Sequence, residues 1–148
     1  MKISHEGLEL IMQFEGCRLG AYKDAVGVPT IGYGHTGAGE AGHGVKMGDH
    51  ITHQEAEQLL AEDVSIFEKC VSEMFADVEL TQGQFDALTS FAFNLGCGAL
   101  RKSTLRKRIE SGHPELAAHE FGRWCHAGHR KLKGLVRRRA AERELFLA

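Results

Sequence analysis

Three residues near the start of the chain have types and spacing that could do chemistry together: Glu15, then eight residues to Asp24, then five to Thr30. Glu15 closes the apolar stretch Leu8, Leu10, Ile11, Met12, Phe14. On a helical wheel turning roughly 100° per residue, it falls between Leu8 and Ile11, with Glu6, Glu9 and Gln13 on the other side. A carboxyl group on an apolar face, in the last turn of a helix, is expected to resist ionisation through desolvation and through the negative end of the helix dipole. That is the behaviour a general acid needs near neutral pH. A buried glutamate satisfied by an arginine or a backbone donor fits the same position.

Asp24 lies in the turn-forming run YKDAVG, and Thr30 follows on the next extended segment. Cleaving a glycosidic bond takes two carboxyl groups, one to protonate the leaving oxygen and one to assist the incoming group or steady the positive sugar. A hydroxyl such as that of Thr30 can hold the attacking water. Asp24 also has a purely structural reading, since aspartates in turns commonly bond their own backbone.

The elements that must position these residues are legible in outline. Ser4 can cap a first helix running to about Gly16. From Ala21 to Thr36 the period changes to Tyr22, Val26, Val28, Ile31 and Tyr33, punctuated by Gly27, Pro29, Gly32 and Gly34. That punctuation predicts a small β-hairpin or three-stranded ribbon. Residues 37–48 carry five glycines and read as loop. Thr52 with Glu55 forms a capping box that opens a long helix through Met74, and Thr81 with Gln84 opens another that ends at Gly96 and Gly98. Shorter helices are expected over Thr104–Glu110, Pro114–His126 and Leu135–Leu147, so that everything after residue 52 is helical. The expected fold is α+β and mainly α: a small β-bearing N-terminal lobe joined by a long helix to a helical C-terminal lobe. The sub-lobes are expected at about 12–60 for the β ribbon, and at 1–11 with 61–148 for the helical part, all within one domain over 1–148.

Composition fits a folded chain of 148 residues, with 43% hydrophobic and 26% charged residues and only two prolines. Charge is uneven. Residues 1–100 carry 5 basic and 15 acidic side chains, and residues 101–148 carry 13 basic and 5 acidic. A basic C-terminal third suits contact with an anionic polymer or surface, and it equally suits solvated helix faces. Cys17, Cys70, Cys97 and Cys125 are widely scattered and are expected to be free thiols. Glu6, Glu9 and Glu15 interrupt the N-terminal apolar stretch, which reads as neither a signal peptide nor a membrane span. The chain is therefore expected to be made in the cytoplasm, reaching any external substrate after the membrane is permeabilised.

The spacing of Glu15, Asp24 and Thr30, with TIGYGH at 30–35, resembles the phage-type lysozyme family. QFDALTSFAFNLG at 84–96 and GLVRRRAAERELF at 134–146 are similar to family segments as well, so the likeness runs nearly end to end. The resemblance implies a lysozyme-like fold and an endolysin that hydrolyses the β-1,4 bond between N-acetylmuramic acid and N-acetylglucosamine with inversion. Glu15 would be the general acid. Asp24 would orient or activate the water and stabilise the oxocarbenium-like transition state, and Thr30 would help position that water. An inverting site is expected to hold its carboxyl groups roughly 6.5–9.5 Å apart. The implied partner is the peptidoglycan glycan strand, with anionic envelope polymers held by the basic C-terminal helix. No cofactor, metal, nucleic acid or stable membrane insertion is expected, and the protein is expected to be a monomer.

Other patterns carry less. GYGHTG at 32–37 and GAGEAG at 37–42 match a dinucleotide fingerprint, but neither opens a helix in a βαβ unit. His35, His43, His50 and His53 show no metal-ligand spacing; His35, just after a strand, suits a buried hydrogen-bonded role. Trp124, Arg123 and the run Arg137–Arg139 leave open a second class, a non-catalytic wall-binding or nucleic-acid-binding module.

Overall fold

The computed structural model describes residues 1–37 and 44–148. Six of the fourteen residues of the Gly- and His-rich stretch at 37–50, His43 included, and much of the second glycine pattern thus lie outside the described residues. The elements run α1 (His5–Glu15), β1 (Arg18–Lys23), β2 (Pro29–Gly32), α2 (His53–Met74), α3 (Gln82–Leu95), α4 (Cys97–Lys102), α5 (Thr104–Glu110), α6 (Pro114–Glu120), β3 (His126–Ala127), β4 (Arg130–Lys131) and α7 (Lys133–Leu147), with a 3-10 turn at Phe121–Arg123. The architecture is α+β and mainly α. The chain divides into two compact units, one made of Glu15–Ser65 and the other of Met1–Phe14 with Ile66–Ala148.

The larger unit is built around α3. Residues Phe85 to Ala92 are all buried, as befits a helix enclosed on every side rather than amphipathic at a surface. Phe91 meets Phe121 and Trp124 edge to face, with ring centroids 5.8 and 5.4 Å apart, and Phe121 meets Phe146 in the same way at 5.5 Å. Val71, Leu88, Leu100 and Leu105 complete this core. Thr81 caps α3 through a full capping box with Gln84. Ser4 caps α1 by accepting from the Gly7 N–H. The Ser4 amide and hydroxyl in turn donate to the buried Asp86. Gly7 is required there, because a Cβ on it would lie 2.8 Å from Asp86 Cγ.

The structure departs from the sequence reading here in four respects. Cys70 and Cys97 are joined by a disulfide, not free. They are 27 residues apart in sequence, yet α2 and the start of α4 bring their Cα atoms within 6.4 Å. Cys17 and Cys125 are free, as expected. The helix opened at Thr81 ends at Gly96 as expected, but Gly98 terminates nothing and lies inside a further short helix, α4. The segment after residue 52 is not wholly helical, since Gly128, at φ 64°, allows β3 and β4 to pair as a two-residue hairpin with His126 opposite Lys131. Finally, Arg138 and Arg139 are buried, so the basic run presents only Arg137 to solvent. Their guanidinium groups face the buried Glu142, with Arg139 Nε 2.8 Å from Glu142 Oε1 and Arg138 Nε 3.5 Å from Oε2.

In the smaller unit β1 and β2 pair antiparallel, with Tyr22 opposite Thr30 and a register irregularity between Arg18 and Tyr22. A third stretch closes on β1: the Ala21 N–H donates to the Asp49 carbonyl and the Ile51 N–H to the Leu19 carbonyl, each at 2.9 Å. The hairpin expected within Ala21 to Thr36 therefore forms, and residues 49–51, outside that stretch, add a third member. Ile31, Ala56, Leu60 and Val64 are buried. The predicted capping box opens α2, since the Glu55 N–H donates to Thr52 Oγ1 and the Thr52 N–H to Glu55 Oε1, both at 3.1 Å.

Candidate active site

Asp24 is held by the loop that joins β1 to β2. Its Oδ1 accepts the Val26 and Val28 N–H groups, each at 2.9 Å. Its own N–H donates to the Val28 carbonyl at 3.0 Å, and its carbonyl accepts from Gly27 at 3.0 Å. One oxygen thus fixes the turn, in the manner typical of aspartate. The other, Oδ2, takes no hydrogen bond among the described residues, so the carboxylate can serve the turn and still present an acceptor.

Thr30 is buried on β2, and its hydroxyl donates to the Val28 carbonyl at 2.9 Å. Val28 therefore couples the two residues, since its N–H reaches Asp24 Oδ1 and its carbonyl receives both the Asp24 N–H and the Thr30 hydroxyl. With its proton committed, Thr30 Oγ1 can hold a water only by accepting from it.

Glu15 is the last residue of α1. The apolar burial expected of it is absent: Gly7 and Ile11 are the buried residues of the helix, and Glu15 is exposed. A wheel assumes that the helix continues, whereas here the chain leaves through Gly16 at φ 71°. The carboxylate lies against the turn that follows β2, in which Ile31 and His35 exchange N–H to carbonyl bonds of 2.9 Å. A Cβ on Gly34 would stand 3.4 Å from Glu15 Oε1, and Gly34 has φ 81°. The segment from Thr30 to Gly34 thus touches the Asp24–Val28 turn at one end and Glu15 at the other.

Several neighbours of this site carry no motif of their own. Tyr33 is half-buried, and its phenol is pushed above its ordinary value by burial, by the nearby Cys17, to which it hydrogen-bonds, and by Glu57. Cys17 Sγ in turn lies 3.9 Å from His53 Nδ1. Tyr33 could be singled out only as the aromatic member of TIGYGH. His35 is buried, as its place after the strand suggested, and its Nδ1 lies 2.8 Å from Asp63 Oδ2 on α2. That pair pins the turn from the side away from solvent.

The fold is mainly helical α+β, and it is the fold of solved lysozymes. The phage lysozyme family model matches residues 12–142, and the chain belongs to that family. It is 45% identical over 147 residues to the endolysin of Bacillus phage B103, which covers 99% of this chain and 54% of that protein. With the endolysin of Salmonella phage P22 the identity is 40% over 148 residues, covering 100% of this chain and 99% of the relative. The chain thus spans about half the length of the Bacillus phage relative and nearly all of the P22 one. A crystal structure of a mutant P22 lysozyme superposes with a TM-score of 0.90 at 39% identity, covering 100% of this chain and 99% of the other.

Proposed function

We propose that the protein is a muramidase that hydrolyses the β-1,4 bond between N-acetylmuramic acid and N-acetylglucosamine in peptidoglycan, acting at the bacterial cell wall as an endolysin. The observation that carries this reading is the coupling of Asp24 and Thr30 through Val28 on a hairpin whose next turn lies against Glu15. In this reading Glu15 gives its proton to the glycosidic oxygen as the bond to the anomeric carbon breaks. A water donates one hydrogen to Asp24 Oδ2 and the other to Thr30 Oγ1, which turns a lone pair toward the anomeric carbon. As the new bond forms, Asp24 takes the proton of the water, and its charge steadies the positive sugar ring. Attack on the face opposite the leaving oxygen inverts the anomeric centre. The chain's partner is the glycan strand, and no step needs a cofactor.

The alternative of a basic binding module is not favoured, because two of the three arginines in the run 137–139 are buried against Glu142 and do not face solvent. Wild type and Glu15→Gln assayed side by side on purified peptidoglycan test the reading. Wild type should clear turbidity and release new muramic acid reducing ends, whose initial anomer, followed by NMR, should be inverted. The variant should do neither while unfolding at nearly the same temperature. Full activity in Glu15→Gln removes the general-acid assignment, and a retained anomer removes the single-displacement step.

A further inference from the structure

We infer that Tyr33 is a positioning residue for Glu15: its hydroxyl, bonded to Cys17, clasps the chain that leaves α1 to the turn that follows β2. This role rests on the reading of Glu15 as the proton donor. It gives a task to a phenol and a thiol that the hydrolytic steps do not use.

β1 and β2 meet with Arg18 opposite Gly32. Continued outward by one antiparallel pair, that register sets Cys17 opposite Tyr33; continued by one more, it sets Gly16 opposite Gly34. Side chains of directly opposed residues stand close enough to interact, and the Tyr33 phenol hydrogen-bonds Cys17. Cys17 Sγ also lies 3.9 Å from His53 Nδ1. His53 and Glu57 are four residues apart at the start of α2 and so share a face of that helix. The exit from α1, the turn after β2 and the start of α2 therefore meet around one half-buried thiol, all within the smaller unit.

Glu15 is exposed, and the next residue, Gly16, has φ 71° with open space where a Cβ would stand. Glycine leaves the backbone its widest freedom at that point. The Glu15 carboxylate nevertheless lies beside Gly34, 3.4 Å from the place of its Cβ. Cys17 and Tyr33 flank this contact, one two residues after Glu15 and the other directly before Gly34. A bond between the flanks fixes how far the carboxylate stands from the strand that carries Thr30. Burial first, then Cys17 and Glu57, raise the phenol's pKa, so Tyr33 keeps its proton and stays a donor to the sulfur while Glu15 gains and loses its own. A displacement of the acid by about 1 Å is enough to cost on the order of 10²-fold in rate.

The test uses the whole chain and soluble glycan strands released from peptidoglycan, so that kcat and KM are read separately. Tyr33→Phe removes only the hydroxyl, and Cys17→Ala removes only its acceptor. Each should lower kcat about tenfold or more and leave KM within about twofold, because the acid is displaced while the glycan still binds. The double variant should lose no more than the worse single one, since both remove the same bond. Cys17→Ser, which keeps an acceptor, should restore most of the rate. A readout independent of turnover is the nuclear Overhauser contact between the Glu15 side chain and the Gly34 Hα, expected in wild type and weakened in Tyr33→Phe. Wild-type kcat in Tyr33→Phe, losses that multiply in the double variant, a loss confined to KM, or an unchanged Glu15–Gly34 contact overturns the clasp. Glu15→Gln separates the two readings: full activity there removes the proton donor and with it the value of the clasp, whereas an inactive Glu15→Gln beside a fully active Tyr33→Phe removes the clasp alone.

Discussion

Replacing Asp24 by asparagine separates its two roles, because the structure assigns them to different oxygens. Oδ1 accepts the Val26 and Val28 amides, and Oδ2 is the oxygen proposed to receive the proton of the water. Asparagine keeps a carbonyl oxygen for both amides and replaces only Oδ2, by an NH₂ group that cannot accept a proton. A hydrogen bond to a charged group contributes about 1.5–3 kcal/mol and a neutral one about 0.5–1.5. Two such bonds at a partly exposed site therefore lose on the order of 1 kcal/mol in total, or about 2–4 °C in Tm for a chain of this size. Asp24→Ala removes both bonds, and about 2–3 kcal/mol of stability is expected to go with them. Loss of a positioned base lowers the rate about 10²–10⁴-fold, equivalent to about 3–5 kcal/mol in the barrier. The expected pattern is thus unequal. Both variants fall to a hundredth of wild-type activity or less on purified peptidoglycan, while only Asp24→Ala unfolds markedly earlier by circular dichroism. Should Asp24→Asn keep more than a tenth of the wild-type rate, the aspartate is a turn residue and the proton goes elsewhere.

Gly34→Ala is expected to impair turnover more than folding, since the new Cβ would sit 3.4 Å from Glu15 Oε1 on a backbone at φ 81°; a kcat within twofold of wild type would show that the turn does not set the Glu15 position. Gly7→Ala gains roughly 1 kcal/mol of helix propensity, but its Cβ meets Ile3 Cγ1 at 2.6 Å and Asp86 Cγ at 2.8 Å, so a net loss of about 1–2 kcal/mol from overpacking is expected in urea unfolding. Burial raises the Glu142 pKa, against the opposing pull of Arg139, Ser90 and Arg138. The folded state then holds that proton more tightly than the unfolded chain, and stability from this group falls as pH rises from the ordinary carboxylate range through the raised value; Glu142→Gln should flatten that part of a plot of unfolding midpoint against pH, and an unchanged slope would assign it to another group. Reducing the Cys70–Cys97 bridge, whose cysteines are 27 residues apart, should cost on the order of 3 kcal/mol through the regained freedom of the unfolded chain, measurable as a drop in Tm with and without reductant.

What the sequence discloses depends on how far apart the interacting residues are. The caps at Ser4, Thr52 and Thr81 are legible because each is a bond across three residues, and all three form as expected. The ribbon is legible because Gly27, Pro29, Gly32 and Gly34 mark where the chain must turn. The disulfide is not legible, since nothing in the spacing of four scattered cysteines says that α2 and α4 bring Cys70 to Cys97. The same holds for the buried charges. Arg138, Arg139 and Glu142 read as a solvated helix face until α3 supplies Ser90, whose hydroxyl donates to Glu142 Oε2 at 2.6 Å, and Asn94, which accepts from Arg139.

The residues proposed for catalysis divide along the same line. Asp24 and its turn are local, and a sequence reading could weigh both of its roles, because every bond that holds it lies within residues 24–28. A helical wheel puts Glu15 on an apolar face, whereas the structure places it exposed at the end of α1, beside Gly34, nineteen positions along the chain. Its position therefore depends on the hairpin turn rather than on the helix core. Since His35 to Asp63 pins that turn and Val28 ties Asp24 to Thr30 on the same strand, the ribbon is the common frame of all three residues. A substitution that loosens the ribbon without touching a carboxylate, such as His35→Ala, should accordingly lower turnover by disturbing Glu15 and Asp24 together.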